Sequence, residues 1–206
     1  MAASARFWNR IANKYAASPI ADEAAYQHKL EKTRTYLTPD SHVLELGCGT
    51  GSTALLHAPH VKEIRATDIS PAMIDIAQAK AAEAGIENVH FEVSSLEDLD
   101  CEGESQDVVL TLSLLHLLED RHAALEEIRH WLKPGGVFVS STACVGDKLW
   151  FMWPFLKVAR LFGAVPMVKL FGRTRLVRDI EAAGFQIEYD WRPDKAVAVF
   201  IIARRP

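Results

Sequence analysis

The chain has 206 residues, 49% hydrophobic and 24% charged, with a formal net charge of -4. That balance excludes a disordered or fibrous chain, fits one α/β domain spanning 1–206, and supplies no positive field to gather phosphates, so no nucleic-acid partner is expected. Three cysteines at unrelated spacings, Cys48, Cys101 and Cys144, form neither a disulfide framework nor a metal knuckle, which predicts a reducing, cytoplasmic setting and no metal.

Residues 1–15 mix Arg6, Arg10 and Lys14 with Phe7, Trp8 and Ile11 and lack the apolar core of a signal peptide. Apolar positions at helical spacing predict a helix over Asp22–Leu37, ended by Thr38-Pro39-Asp40. A short buried strand, Val43–Leu46, runs into a glycine-rich turn, and a second strand is expected over Glu63–Asp68. The next helix has Ser70 as N-cap, Pro71 in its first position and Gly85 as its stop. Strands are expected at Val89–Val93 and Asp107–Leu112, a helix at Arg121–Leu132, a turn at Lys133-Pro134-Gly135-Gly136 and a fifth strand at Val137–Ser141.

The stretch Leu149–Phe171 is apolar, but Lys157, Arg160 and Lys169 interrupt it and Pro154, Gly163 and Pro166 break its helical register, so no spanning helix is expected. A helix at Thr174–Ala183 with Gly184 as its cap follows. The last strands, Gln186–Trp191 and Val197–Ala203, are joined by Arg192-Pro193-Asp194-Lys195, too short for a parallel crossover, so they pair antiparallel. Alternating helices and strands predict an α/β fold: seven strands, mostly parallel, covered on both faces and ending in an antiparallel hairpin.

The central motif is Glu45-Leu46-Gly47-Cys48-Gly49-Thr50-Gly51, a strand running through three alternate glycines into a helix. Glycine lets the backbone come close to a ligand and take positive φ, and strand, turn and helix together make a nucleotide crevice. Dinucleotide enzymes favour G-x-G-x-x-G; here the spacing is G-x-G-x-G after an acid.

On these residues the sequence resembles the class I, Rossmann-like S-adenosylmethionine-dependent methyltransferases, over nearly the whole chain. The resemblance implies a three-layer sandwich, S-adenosylmethionine as cofactor, and a methyltransferase of the small-molecule type. Its first motif falls on Glu45, Gly47, Cys48, Gly49 and Gly51, where Cys48 is a small packing residue rather than a nucleophile. The second falls on residues 66–73: Asp68 would hold both ribose hydroxyls, and Ile69 and Met73 would face the adenine or fill the core. A carboxylate suits a vicinal diol because it accepts two charge-assisted hydrogen bonds; Asp68 could alternatively lead the following helix as a cap.

In the loop after the third strand relatives often carry an aspartate for the adenine amino group; this chain has Ser95, followed by Leu96, whose N–H can read the ring edge. The fourth motif, Thr111–Leu118, implies Leu112 beside the methionine moiety and His116 as general base, or as a histidine that anchors the loop. There is no Asn/Asp-Pro-Pro-aromatic sequence, no Pro-Cys nucleophile and no acidic metal cluster of the catechol type, which lowers the weight of those substrate classes. His57 and His60 lack a third ligand and do not suggest a metal.

Residues 1–36 resemble the helical lid of small-molecule methyltransferases, with Tyr15, Tyr26 and Lys29 toward the cofactor; Trp8 and Tyr15 could instead be ordinary apolar anchors. The insertion 149–172 occupies the place of a substrate-recognition element, with Trp150, Trp153 and Phe155 lining a pocket or packing as a lid, or else lying on lipid with Lys157, Arg160 and Lys169 toward headgroups. The expected activity is methyl transfer to a small, apolar or amphipathic acceptor. The rivals are an NAD(P)-dependent oxidoreductase and a non-catalytic cofactor-binding module. Acceptor atom and oligomeric state stay open.

Overall fold

The computed structural model describes residues 2–147, 169–193 and 196–206. Trp150, Trp153, Phe155, Lys157 and Arg160 lie outside the described residues.

Seven strands join in the order β3-β2-β1-β4-β5-β7-β6: β1 (His42–Leu46), β2 (Glu63–Asp68), β3 (Val89–Val93), β4 (Gln106–Leu112), β5 (Leu132–Ala143), β6 (Gln186–Trp191) and β7 (Ala198–Arg204). The first three pairings, β2 with β3, β1 with β2 and β1 with β4, are parallel, whereas β7 runs antiparallel to both β5 and β6. The mostly parallel sheet with its antiparallel hairpin is therefore present. Within that hairpin the return strand β7 lies between β5 and β6. By Cα proximity the chain divides into residues 1–100 with 106–110, and residues 101–105 with 111–206.

In the first part, helices α1 (Ala2–Ala17), α2 (Glu23–Arg34), α3 (Ser52–His57) and α4 (Pro71–Ala84) accompany β1 to β3. Asp22 proves to be the N-cap of α2, its Oδ1 accepting from the Ala25 N–H at 2.9 Å, and the helix stops at Arg34 rather than Leu37. Ser70 caps α4 as its sequence predicts, and Gly85 ends it with φ 64°. Ile74, Ala77 and Ala81 are buried on α4, which packs on β2 and β3. Leu44, Leu46, Ile64 and Ala66 fill the interior of the strands, as expected where both faces of a parallel sheet are covered. The chain starts at β1, builds outward to β3, then returns to lay β4 on the other side of β1. This is the switch point at which open α/β sheets hold ligands beyond the carboxyl ends of their strands.

In the second part, α5 (Arg121–Trp131) packs on β5, and α6 (Arg173–Ala182) on β6. The side chain of Asp120 caps α5 by accepting from the N–H groups of His122 and Ala123. The sequence Lys133-Pro134-Gly135-Gly136 is not a free turn: it belongs to β5. Gly135, at φ 77°, donates to Arg205 O, and Arg205 donates to Gly136 O, so the C-terminal segment carries the ladder through a glycine that tolerates the bend. Asp179, 2% exposed, accepts from Arg121 and pairs with Arg175 at 2.8 Å, while the Arg121 guanidinium lies 3.8 Å over the Phe171 ring. A carboxylate so deeply buried is tolerated because cations and hydrogen bonds surround it.

Candidate cofactor-binding site

Beyond β1 the backbone takes positive φ at Gly47, Gly49 and Gly51, 69°, 55° and 74°. The turn is closed by Cys48 N–H donating to Thr67 O at 2.9 Å and Gly51 N–H donating to Cys48 O at 3.0 Å. Two of these glycines serve different purposes. A Cβ on Gly51 would come within 2.7 Å of Phe91 and 2.8 Å of Ala77, so Gly51 lets the turn settle against β3 and α4. A Cβ on Gly49 would meet only the Tyr15 ring, at 3.8 Å; here the absent side chain keeps space open above the turn.

Asp68 closes β2 at that open space. Its Oδ2 accepts the Gly49 N–H at 3.0 Å and its Oδ1 accepts the Ser70 N–H at 2.9 Å. A carboxylate has about four lone-pair positions, so each oxygen keeps one direction for a further donor. Burial raises the Asp68 pKa, and the N–H groups of Ser70, Gly49 and Ile69 oppose that rise.

Glu45 lies next along β1 toward the turn. It is 2% exposed, and its Oε2 finds no partner among the described residues. Burial, and then the charge of Asp68, push its pKa up to about 8. A buried carboxyl oxygen without a donor is costly, and here it lies on the strand that runs into the glycine turn. The neighbouring Cys48 thiol is buried and its pKa pushed up, first by desolvation, which makes it inert as a nucleophile.

Tyr15 comes from α1, is 51% exposed and has its ring over Gly49. Trp8 meets Tyr15 edge to face, with ring centroids 6.2 Å apart. Tyr26 on α2 exchanges a hydrogen bond with Thr53 on α3 at 3.1 Å, and burial lowers the pKa of Lys29 on the same helix. The N-terminal helices therefore reach the glycine turn.

Ile69 is half-buried, whereas Met73 is 1% exposed and belongs to the core face of α4. The Ser95 hydroxyl is engaged within its own loop: it donates to Asp98 Oδ2 at 2.7 Å and accepts the Asp98 N–H at 3.1 Å. Leu96 beside it is half-buried.

Three further residues have no clear sequence signal. Val93, paired with Asp68 across β2 and β3, is an apolar side chain left 52% exposed at the end of its strand. Lys80 Nζ donates to Thr50 O, Thr50 Oγ1 and Ser52 Oγ, bracing the glycine turn with all three of its protons. Asn9 on α1 accepts from the Ser70 hydroxyl at 2.6 Å and from the Ala72 N–H at 3.3 Å. All three depend on contacts too distant in sequence to read, Val93 on its cross-strand pairing with Asp68.

In the second part, Leu112 ends β4 half-buried and Ser113 takes φ 65°, a left-handed conformation uncommon outside glycine. His116 lies on a short 3-10 turn, Leu115–Leu117. Its carbonyl accepts the Lys169 N–H at 2.8 Å, while its Nδ1 is buried with no partner among the described residues. Burial lowers its pKa to about 4, so the imidazole is neutral at physiological pH and a weaker base than free histidine.

Residues 43–136 match the methyltransferase domain family. An uncharacterised methyltransferase of Bacillus subtilis strain 168 is 33% identical over 100 residues, covering 48% of this chain and 40% of that protein. A ubiquinone biosynthesis O-methyltransferase of Cereibacter sphaeroides is 34% identical over 103 residues, again 48% and 40%. These matches span less than half the length of either relative. Among solved structures, a Streptomyces coelicolor geranyl diphosphate C-methyltransferase superposes with a TM-score of 0.79 at 16% identity, over 98% of this chain and 97% of that one. With its glycine turn, its strand order and this matched segment, the chain carries a methyltransferase domain over residues 43–136 and is similar in fold to methyltransferases of known structure.

Proposed function

We propose that the chain is a single-domain enzyme that transfers the methyl group of S-adenosylmethionine to a small, apolar or amphipathic acceptor. The observation that carries this reading is the Asp68 carboxylate, oriented by the N–H groups of Gly49 and Ser70 and still able to accept two hydroxyl donors beside the open face of Gly49.

The cofactor, when bound, supplies a carbon activated by positive sulfur. Asp68 would hold the ribose diol, Ile69 and the exposed Val93 would offer apolar surface to the base, and the Leu96 N–H would be available to the ring. Glu45 supplies negative charge for a cationic group laid along Gly47, Cys48 and Gly49. Tyr15, with Tyr26 and Lys29 behind it, closes the turn from the side of α1 and α2 and excludes water. By the family resemblance Leu112 would take the methionine moiety, and Gly51 keeps the turn seated. Chemistry of this kind depends chiefly on alignment, and His116 Nδ1 would take the proton from an acceptor that must lose one.

The acceptor class rests on the aromatic density of Trp150, Trp153 and Phe155 and on relatives whose names refer to ubiquinone biosynthesis and to geranyl diphosphate. No helix among the described residues is long and apolar enough to cross a membrane. The cysteine usage supports a cytoplasmic setting, and vesicle binding is the check on a lipid-surface acceptor. The test is calorimetric titration with S-adenosylhomocysteine, followed by transfer of labelled methyl to a panel of isoprenoid, quinol and fatty-acyl acceptors. A folded protein that binds no S-adenosylhomocysteine overturns the cofactor reading; binding with transfer only to polar acceptors overturns the acceptor class.

A further inference from the structure

The glycine turn, the ribose-binding acid and α1 form one hydrogen-bonded series. Gly49 N–H donates to Asp68 Oδ2, Ser70 N–H donates to Asp68 Oδ1, and the Ser70 hydroxyl donates to Asn9 Oδ1. Ser70 is fully buried, and its Oγ also accepts the Met73 N–H at 3.2 Å. One hydroxyl thus caps α4 as acceptor while its single proton is committed to Asn9. The same Asn9 oxygen takes the Ala72 N–H, one of the donors a helix start leaves without an internal partner. Six residues further along the same helix, Tyr15 stands over Gly49. The Tyr15 ring is half-exposed, meets Trp8 of the same helix edge to face, and its hydroxyl makes no hydrogen bond among the described residues, so its place over the turn depends on how α1 is seated.

We propose that Asn9 is a positioning residue for cofactor binding: by joining α1 to Ser70, it seats the helix that holds Tyr15 over the glycine turn and ties that helix to the residue orienting Asp68. The inference rests on the cofactor reading above. It assigns Asn9 no contact with the ligand. The needed property is an oxygen acceptor at the start of α4, where the helix dipole also favours negative charge, so aspartate should substitute and alanine should not.

The experiment compares the full chain with Asn9→Ala and Asn9→Asp. Amide hydrogen exchange without ligand is expected to show faster exchange across α1 in Asn9→Ala, with β1 and β2 unchanged, and protection restored in Asn9→Asp. Titration with S-adenosylhomocysteine is expected to show a Kd raised roughly two- to tenfold in Asn9→Ala, the range for one partly exposed hydrogen bond, and near the wild-type value in Asn9→Asp. Under turnover, the cofactor KM should rise with kcat preserved. Unchanged α1 exchange in Asn9→Ala overturns the proposal, as does faster exchange confined to α4, which would make Asn9 a cap only. Failure of Asn9→Asp to restore protection also overturns it. Absence of S-adenosylhomocysteine binding in the wild type would instead overturn the cofactor reading, while the exchange comparison still decides whether Asn9 seats α1.

Discussion

The Gly49 N–H donates to the Asp68 carboxylate across 3.0 Å, so the turn after β1 and the acid after β2 hold each other in place before any ligand arrives. Such preorganisation lowers the ordering cost of binding. Removing the carboxylate takes away a charged acceptor and frees the turn. Asp68→Ala is expected to weaken S-adenosylhomocysteine binding roughly ten- to a hundredfold, with the fold retained. Titration of a variant with unchanged circular dichroism is the check, and an unchanged Kd would remove Asp68 from the site.

The two turn glycines should separate stability from binding. Gly51→Ala places a Cβ within 2.8 Å of both Phe91 and Ala77, and overpacking of this kind costs about 1–3 kcal/mol, to which left-handed strain is added. Its unfolding midpoint should fall clearly. Gly49→Val meets no such wall, since only Tyr15 is near, at 3.8 Å; its cost falls on the ligand's volume and on the positive φ of the turn. A Gly49→Val protein that stays folded, loses only the stability its left-handed strain costs, about 1–2 kcal/mol, and does not bind cofactor is the expected result.

Much of this arrangement was legible in local sequence. β2 and β3 have the limits expected from their apolar runs, and Ser70-Pro71 and Gly85 mark α4 by signals lying within one turn of each end. Non-local partners decided the rest. The Lys133-Pro134-Gly135-Gly136 stretch reads as a turn, yet Arg205 pairs with it, and a contact across some seventy residues leaves no local trace. The apolar run of β7 betrays burial on both faces, but not that it lies between β5 and β6. In the candidate site, Asp68 and the three glycines stand out in sequence because the proposed chemistry restricts residue type there. Asn9, Lys80 and Val93 do not, because asparagine, lysine and valine are ordinary on helices and strands until the fold brings a particular partner to them.

Glu45 should make both stability and binding depend on pH. Asp68, Cys48, Tyr15 and Tyr26 surround it electrostatically, and none of them is a cation. With its pKa raised from 4.5 to about 8, the folded protein keeps a proton that the unfolded chain has lost. The stability this confers is fully present below pH 4.5 and is lost as pH rises through 8, at up to about 1.4 kcal/mol per pH unit. Glu45→Gln should flatten that slope in urea unfolding between pH 5 and 9. A cationic ligand group beside Glu45 favours its ionised form, so S-adenosylmethionine binding at pH 7 should release a proton. Calorimetry in buffers of differing ionisation enthalpy reads this release, which Glu45→Gln should abolish.

His57 acts on the acid side. It is buried at the end of α3, both ring nitrogens are without partners among the described residues, and burial, then Arg34 and His60, lower its pKa to about 4. The unfolded chain therefore takes up a proton that the folded one refuses, and stability is lost as pH falls from 6.5 toward 4. Between pH 7 and 5 the loss is roughly 2 kcal/mol. His57→Leu should reduce the shift in urea midpoint between those two pH values, leaving the part contributed by His116.

His116 offers a choice between chemistry and architecture that its two polar ends keep separate. Its main-chain carbonyl holds the Lys169 N–H, a bond that survives any side-chain replacement, so an anchoring role for the loop does not need the imidazole. The side chain has a buried, unpartnered Nδ1, which is what a proton acceptor requires. A pKa of about 4 keeps it unprotonated across the neutral range but weakens its basicity, so its contribution should stand at the low end of general-base catalysis, about a hundredfold. His116→Gln is therefore expected to lower kcat/KM about a hundredfold on an acceptor that must lose a proton, with the Kd for S-adenosylhomocysteine unchanged. The wild-type rate should be flat from pH 6 to 9 and fall below pH 5 as the imidazole protonates. A loss under tenfold in His116→Gln, with the same pH profile as the wild type, would leave His116 only its carbonyl contact to Lys169 and move proton acceptance to another group.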